Sequence, residues 1–316
     1  MARDPRAHDA ADTSPSGGVS IRQTLSAFVT TLRPDQWTKN LIVFAGLIFG
    51  QRLMAAEAVG AAFWAFAVFC GLSSSMYVVN DLIDQDEDRR HPTKRQRPIA
   101  AGTLSTGRAL AGAALLGSMS LGVGFWISPA FGTVALVFVG LLTAYSQYLK
   151  HLVILDVLAI AIGFVIRAVG GAVAVGVPIS QWLLVCTVLL ALFLGLSKRR
   201  HEIVLLGDLA PDHRRSLAQY SSQLLDQLIS IVAAATLVSY AFYTVEPDTI
   251  QKFGTDRLTW TLPFPIYGIF RYLYLVHRHD LGGSPAEMLL QDRPLLACVA
   301  LWASAIVLII YWPMAG

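Results

Sequence analysis

The sequence predicts an all-α integral membrane protein: nine transmembrane helices bundled around a central cavity, with cytoplasmic capping loops. Three observations carry that prediction. The chain is 55% hydrophobic and only 14% charged, whereas soluble domains run near a quarter charged. Apolar stretches of about 20 residues recur along it, the length that spans roughly 30 Å of hydrocarbon. Lysine and arginine fall almost entirely in alternate connections, as the positive-inside rule requires of a polytopic chain.

Taken in order, residues 1–18 are rich in Asp, Ala, Ser, Pro and Gly and lack an apolar core. That composition reads as a disordered cytoplasmic tail, not a signal peptide. Residues 19–316 then form a single polytopic domain. Ile21, Leu25, Phe28 and Leu32 recur at helical spacing, so 21–32 is expected to be an amphipathic helix on the cytoplasmic face, ended by Pro34. Nine apolar runs follow at about 40–56, 59–83, 108–127, 130–147, 152–176, 179–197, 226–246, 259–277 and 294–312. Most connections are short. Two are long, about 84–107 and 198–225, and each follows an even-numbered run. Connections of that length in a compact bundle are usually functional, and their matched positions imply a weak two-fold repeat with two loops over one cavity. The tail and even-numbered connections hold the basic residues, against only Arg52, Lys252 and Arg257 on the other side. The N-terminus and the active face are therefore expected in the cytoplasm, with the C-terminus outside.

Cys70, Cys186 and Cys298 all lie inside apolar runs, with no metal-knuckle or disulfide spacing. They read as small hydrophobes. The net charge of +3 comes without a basic arm interleaved with aromatics, so nucleic acid is not an expected partner. No P-loop or glycine-rich dinucleotide fingerprint is present.

The chemistry concentrates between Asn80 and Pro98. If the second run stays helical, Asn80, Asp81, Asp84 and Asp88 share about a 100° arc. Glu87 lies at its edge and Asp86 points away. Ionised groups at the end of an apolar run are costly unless paired or metal-bound. Three carboxylates and an amide are hard oxygen ligands suited to Mg2+. Asp81, Asp84 and Asp88 are therefore the candidate catalytic, metal-binding acids, with Asn80 as a further ligand; a solvated helix end with internal Asp–Arg pairs is the plain alternative. The next stretch adds Lys94, Arg95 and Arg97 between prolines, cations suited to phosphate or simply to a positive-inside loop. An acidic face beside a basic one points to a diphosphate-bearing substrate. In the fifth run Asp156 and Arg167, eleven residues apart, fall on nearly the same helix face. With Tyr145 and Lys150 they are expected to line the cavity, or else to form an interhelical ion pair. Gly163, Gly170 and Gly171 suit close helix packing.

The pattern Asn80-Asp81-x-x-Asp84-x-x-x-Asp88 resembles the first signature of the UbiA-type prenyltransferase superfamily. Members are nine-helix intramembrane bundles with two Asp-rich motifs and a Mg2+-bound diphosphate. Four other segments are similar to one branch, the decaprenyl-phosphate phosphoribosyltransferases. They are Arg33-Pro-x-Gln-Trp-x-Lys39-Asn40, His91-Pro-x-Lys94-Arg95-x-Arg97-Pro98-Ile-Ala, Tyr145-Ser-Gln-Tyr-Leu-Lys150, and Leu194-Gly-Leu-Ser197-Lys198-Arg199-Arg200-His201-Glu202. The resemblance implies transfer of 5-phosphoribosyl from phosphoribosyl diphosphate to decaprenyl (polyprenyl) phosphate, for cell-wall arabinan. It implies Mg2+ as cofactor, and Lys39, Lys94, Arg95 and Arg97 at the donor phosphates. Tyr145, Lys150, Asp156, Arg167, Lys198 and Arg199 would meet the acceptor phosphate or line the cavity. One departure is informative: the superfamily's second acidic motif is replaced here by the basic run at Ser197–Glu202, which suits two phosphorylated substrates. The rival readings are a conventional intramembrane prenyltransferase, transferring a prenyl group from its diphosphate to an aromatic or lipid acceptor, and an anionic-solute transporter. Charges confined to one face argue against the transporter. A homo-oligomer is compatible with the sequence.

Overall fold

The computed structural model describes residues 21–90, 94–206, 215–278 and 285–311, and every regular element among them is helical. The expected tail and His91 lie outside these residues. The helices are α1 (Ile21–Leu32), a 3₁₀ stretch (Pro34–Phe44) running into α2 (Ala45–Phe49), α3 (Ala56–Ile83), α4 (Gln85–Arg90), α5 (Thr106–Ile127), α6 (Pro129–Gln147) and α7 (Leu155–Val175). They continue with α8 (Gln181–Leu206), α9 (Ser222–Val245), α10 (Pro247–Phe253), α11 (Pro263–Arg278), α12 (Pro285–Gln291) and α13 (Arg293–Tyr311).

Seven of the described helices, α3, α5–α9 and α13, are long and apolar enough to cross a membrane, so the chain is an integral membrane protein. The first and eighth expected runs take other forms. Residues 34–49 combine the 3₁₀ stretch with α2, because Pro34 fixes the first turn and the Gly50–Gln51 turn stops the helix, Gln51 at φ 56°. Residues 257–278 divide into a 3₁₀ turn, Arg257–Thr261, and the 16-residue α11, restarted at Pro263. The basic run after residue 197 is not a loop: α8 continues through it to Leu206, since no glycine or proline interrupts residues 196–206.

The most extensive helix contacts are α3 with α5 and α8 with α9, one pair per half of the chain. Each half has its own apolar core. Phe69 packs edge-on against Phe131 and Phe138, with centroids 5.7 and 5.1 Å apart, in the first. Phe193, Leu225, Ile229 and Tyr272 anchor the second. Helices in hydrocarbon gain little from apolar burial between them, so close fit matters most. The 34–49 segment accordingly meets α7 at glycine. A Cβ on Gly171 would lie 2.0 Å from the Val43 carbonyl oxygen, and one on Gly46 would lie 2.7 Å from the Ala172 backbone. That contact brings Asn40 beside Arg167.

Candidate active site

Helical register persists across the α3–α4 junction. The Asp84 N–H donates to Asn80 O at 2.9 Å and the Asp88 N–H to Asp84 O at 2.8 Å. The expected acidic face therefore exists. Asp81 and Asp88 are each 2% exposed, and both converge on one nitrogen: Arg97 Nη1 donates to Asp81 Oδ1 at 3.0 Å and to Asp88 Oδ2 at 2.7 Å. Arg33 Nη2 donates to the same Asp81 oxygen at 2.6 Å. Asp84 accepts from Lys150 Nζ at 3.0 Å and from Asn80 Nδ2 at 2.9 Å. Asp86 is exposed and meets only Arg89, at 3.2 Å, among the described residues. Three acids thus face three cations, Arg33, Arg97 and Lys150, drawn from three separate segments.

Local structure positions each cation. Arg33 sits at the break before Pro34 in a left-handed conformation, φ 54°, ψ 63°. The break is tied down by the Trp37 indole N–H donating to Ser74 Oγ at 3.0 Å, while Ser74 Oγ donates to Leu32 O at 2.8 Å. Arg97 is carried by a loop folded back over α4, where Gln85 Nε2 donates to Ile99 O at 3.2 Å and Ile99 is fully buried.

The donor set fits a divalent ion. A single cationic nitrogen already bridges carboxylates seven residues apart, so their oxygens can meet on one positive charge. Asp81 Oδ2, Asp88 Oδ1 and Asn80 Oδ1 make no hydrogen bond among the described residues. No three acids among those residues close on one point. Mg2+ typically takes one or two carboxylates and completes its shell with phosphate and water, and the pair bridged by one nitrogen here is Asp81 and Asp88.

A second cluster braces the other half. Asp156 is fully buried at the start of α7. It accepts from Tyr220 Oη at 2.9 Å and Ser216 Oγ at 3.4 Å, and lies 3.3 Å from Arg199 Nε, an ion-pair contact without hydrogen-bond alignment. Arg199 also pairs with Glu202, one turn along α8, and Arg200 pairs with Asp226 of α9. Tyr220 Oη further accepts the Ile154 N–H at 2.7 Å. Ile154 has φ 69° and ψ −47°, and the Leu155 N–H donates to Val153 O at 2.8 Å across it. This is a strained γ-turn at a β-branched residue. Burial of Tyr220 raises the pKa of its phenol, so it serves as a neutral clamp.

A third group lies deeper. Arg167 is buried, and its Nε donates to Asn40 Oδ1 at 2.6 Å. Its guanidinium stands over the rings of Phe138 and Phe164, 4.5 and 5.4 Å from their centroids. Asn40 is oriented by donating to Cys70 Sγ at 3.2 Å. Lys39 is half-buried and within electrostatic range of both Arg167 and Arg33.

Asp156 and Arg167, on nearly one helix face in the sequence, do not meet, and Asp156 takes the interhelical ion-pair form with Arg199 of α8. Eleven residues return to one face in projection but rise about 16 Å along the axis, so the two meet different neighbours: Asp156 meets α8 and the 215–220 turn, Arg167 the 34–49 segment. Asn40, Glu202, Ser216 and Tyr220 were not singled out as site residues, and neither was Arg33. Arg33 and Asn40 stood within a basic-aromatic segment of the sequence; nothing local marked Ser216 or Tyr220. Of the other expected residues, Lys94, Tyr145 and Lys198 are half-buried and Arg95 is exposed.

Known proteins resemble this chain in sequence and in fold. The family model described as "UbiA prenyltransferase family" matches residues 41–290. A decaprenyl-phosphate phosphoribosyltransferase of Corynebacterium glutamicum is 36% identical, over 90% of this chain and 86% of its own length. The protein of that name from Mycolicibacterium smegmatis is 33% identical over 96% and 98%. The solved structure of a UbiA homolog from Archaeoglobus fulgidus bound to DMAPP and Mg2+ has a TM-score of 0.68. At 18% identity, over 90% of this chain and 99% of that one, it is similar in fold.

Proposed function

This chain belongs to the UbiA prenyltransferase family, on the branch of its decaprenyl-phosphate phosphoribosyltransferase relatives, and we propose that it transfers 5-phosphoribosyl from phosphoribosyl diphosphate to decaprenyl or a similar polyprenyl phosphate, releasing diphosphate. The observation that carries this is the distribution of acid. In the first half Asp81, Asp84 and Asp88 share one helix face, and Asp81 Oδ2 and Asp88 Oδ1 keep no hydrogen bond among the described residues. In the second, Asp156, Glu202 and Asp226 are engaged with Arg199 and Arg200. A donor diphosphate then has one acidic face, and the basic second half is suited to another phosphorylated substrate.

Asp81, Asp84 and Asp88 with Asn80 would hold Mg2+, which supplies Lewis-acid compensation for charge on the leaving diphosphate when bound. Arg33 and Arg97 contact the same acids and need only turn to meet the diphosphate, with Lys39, Lys94 and Arg95 adding to the donor site. Lys150 and Lys198, beside Tyr145, would steer the lipid phosphate. Arg199 keeps the second half in shape through Asp156 and Glu202. The bond from the anomeric carbon to the diphosphate oxygen breaks, its electron pair leaving with diphosphate. A lipid phosphate oxygen forms the new bond from the opposite face, inverting the α configuration to β. That oxygen is already ionised at pH 7, so no general base is required.

The orientation that fits is a cytoplasmic N-terminus and site, with the C-terminus outside and the 84–107 segment and the connection before α9 as caps. The 34–49 segment and α11 would complete nine crossings. Eleven 3₁₀ residues and five α-helical ones extend about 30 Å, the thickness of the hydrocarbon core. Exposed Trp64, Trp126 and Trp260 at the opposite end suit an interfacial aromatic belt. The test is direct: purified protein, Mg2+, labelled phosphoribosyl diphosphate and decaprenyl phosphate should move label into the lipid phase. Turnover of a prenyl diphosphate with an aromatic acid, and no lipid label, overturns the proposal.

A further inference from the structure

The cations of this bundle divide into two kinds. Arg33, Arg97, Lys150, Arg199 and Arg200 all contact carboxylates. Arg167 does not: its partners among the described residues are the Asn40 amide and two phenyl faces. The rings and the amide fix its orientation but leave its charge uncompensated. Its Nη1 and Nη2 have no acceptor among the described residues, and neither is fully sealed. Lys39 likewise makes no hydrogen bond or ion pair among the described residues, and the one acid within its electrostatic range is exposed Asp35. Two cations within electrostatic range of each other in a membrane bundle, with no carboxylate partner among the described residues, are costly, and a guanidinium with terminal nitrogens lacking an acceptor there is shaped to take a phosphate bidentately.

Their depth identifies the phosphate. Arg167 is in electrostatic range of Tyr77 and is held by Asn40, which contacts Cys70. Tyr77 and Cys70 lie four and eleven residues before Asp81, about 6 and 16 Å down the helix. We infer that Arg167 and Lys39 form a second anion subsite, one to three turns below the acidic cluster, that takes the 5-phosphate of the sugar donor. This rests on the transfer reaction proposed above. A pentose with phosphate groups at C1 and C5 bridges two anion sites in series. A prenyl diphosphate has phosphate at one end and hydrocarbon at the other, and would cover these two cations with hydrocarbon, which is unfavourable. The subsite thus selects a doubly phosphorylated sugar over a prenyl donor.

Two measurements on the full chain test this. First, ribose 5-phosphate binding is followed in chelator, so that the acidic face does not contribute. The wild type should bind it. Lys39→Met should weaken binding by about tenfold or more, the loss of one charge-assisted contact, and Lys39→Arg should restore it. Second, transfer is compared between phosphoribosyl diphosphate and ribosyl 1-diphosphate lacking the 5-phosphate. Wild-type preference for the former should shrink in Lys39→Met through donor KM, with the polyprenyl phosphate KM unchanged. Unchanged ribose 5-phosphate affinity in Lys39→Met, or a rise in acceptor KM in place of donor KM, overturns the subsite. Wild type that binds ribose 5-phosphate through Lys39 yet transfers no phosphoribosyl group upholds the subsite and overturns the reaction.

Discussion

Arg97 occupies the point between Asp81 and Asp88 where a divalent ion is expected to act, and Arg97→Gln exposes that substitution of charges. Its Nη1 is the one described partner of the Asp88 carboxylate, whose side chain is 3% exposed, whereas Asp81 keeps Arg33. Removing one member of a fully buried ion pair costs about 3–5 kcal/mol. The Arg97 side chain is 27% exposed, so water shares the loss, and about 2–3 kcal/mol is the expected destabilisation. The assay is thermal unfolding of the full chain in detergent, with chelator and with excess Mg2+. In chelator Arg97→Gln should unfold roughly 5 °C below wild type. Mg2+ should recover most of that deficit, because an ion binding Asp81 and Asp88 compensates the charge left behind. Wild type should respond less, since there the ion must displace Arg97. Equal Mg2+ shifts in both proteins, or no deficit in chelator, would refute the reasoning that Arg97 stands in the place of the metal.

Asp84→Asn removes the charge that holds Lys150 and would hold the ion; kcat should fall by about tenfold or more in a protein that still unfolds cooperatively. Gly171→Ala drives a methyl group into the Val43 carbonyl, 2.0 Å away, and should cost about 1–3 kcal/mol as overpacking, read as a lower unfolding midpoint with a raised donor KM. Tyr220→Phe deletes the hydroxyl that donates to Asp156 and accepts the Ile154 N–H. It should cost about 1–3 kcal/mol, and proteolysis near residue 154 would report the loosened turn.

The sequence by itself determined the class, the acidic face and the branch. Hydropathy reports a membrane solvent directly, and residues three, four and seven apart meet on any helix whatever surrounds it. That is why Asn80, Asp81, Asp84 and Asp88 could be placed together before any coordinates. The exchange of acids for cations at Ser197–Glu202 was equally plain, because it is a matter of residue type alone. What the tertiary structure decided is which charge meets which. Arg33 reaches Asp81 across 48 positions, Lys150 reaches Asp84 across 66, and Arg167 finds Asn40 across 127. Those pairings depend on how helices cross, and the crossing depends on contacts such as Gly171 against Val43. Helical projection kept Asp156 and Arg167 on one face. Axial rise separated them, one into a buried brace beside Tyr220 and the other against Asn40, with no carboxylate partner among the described residues.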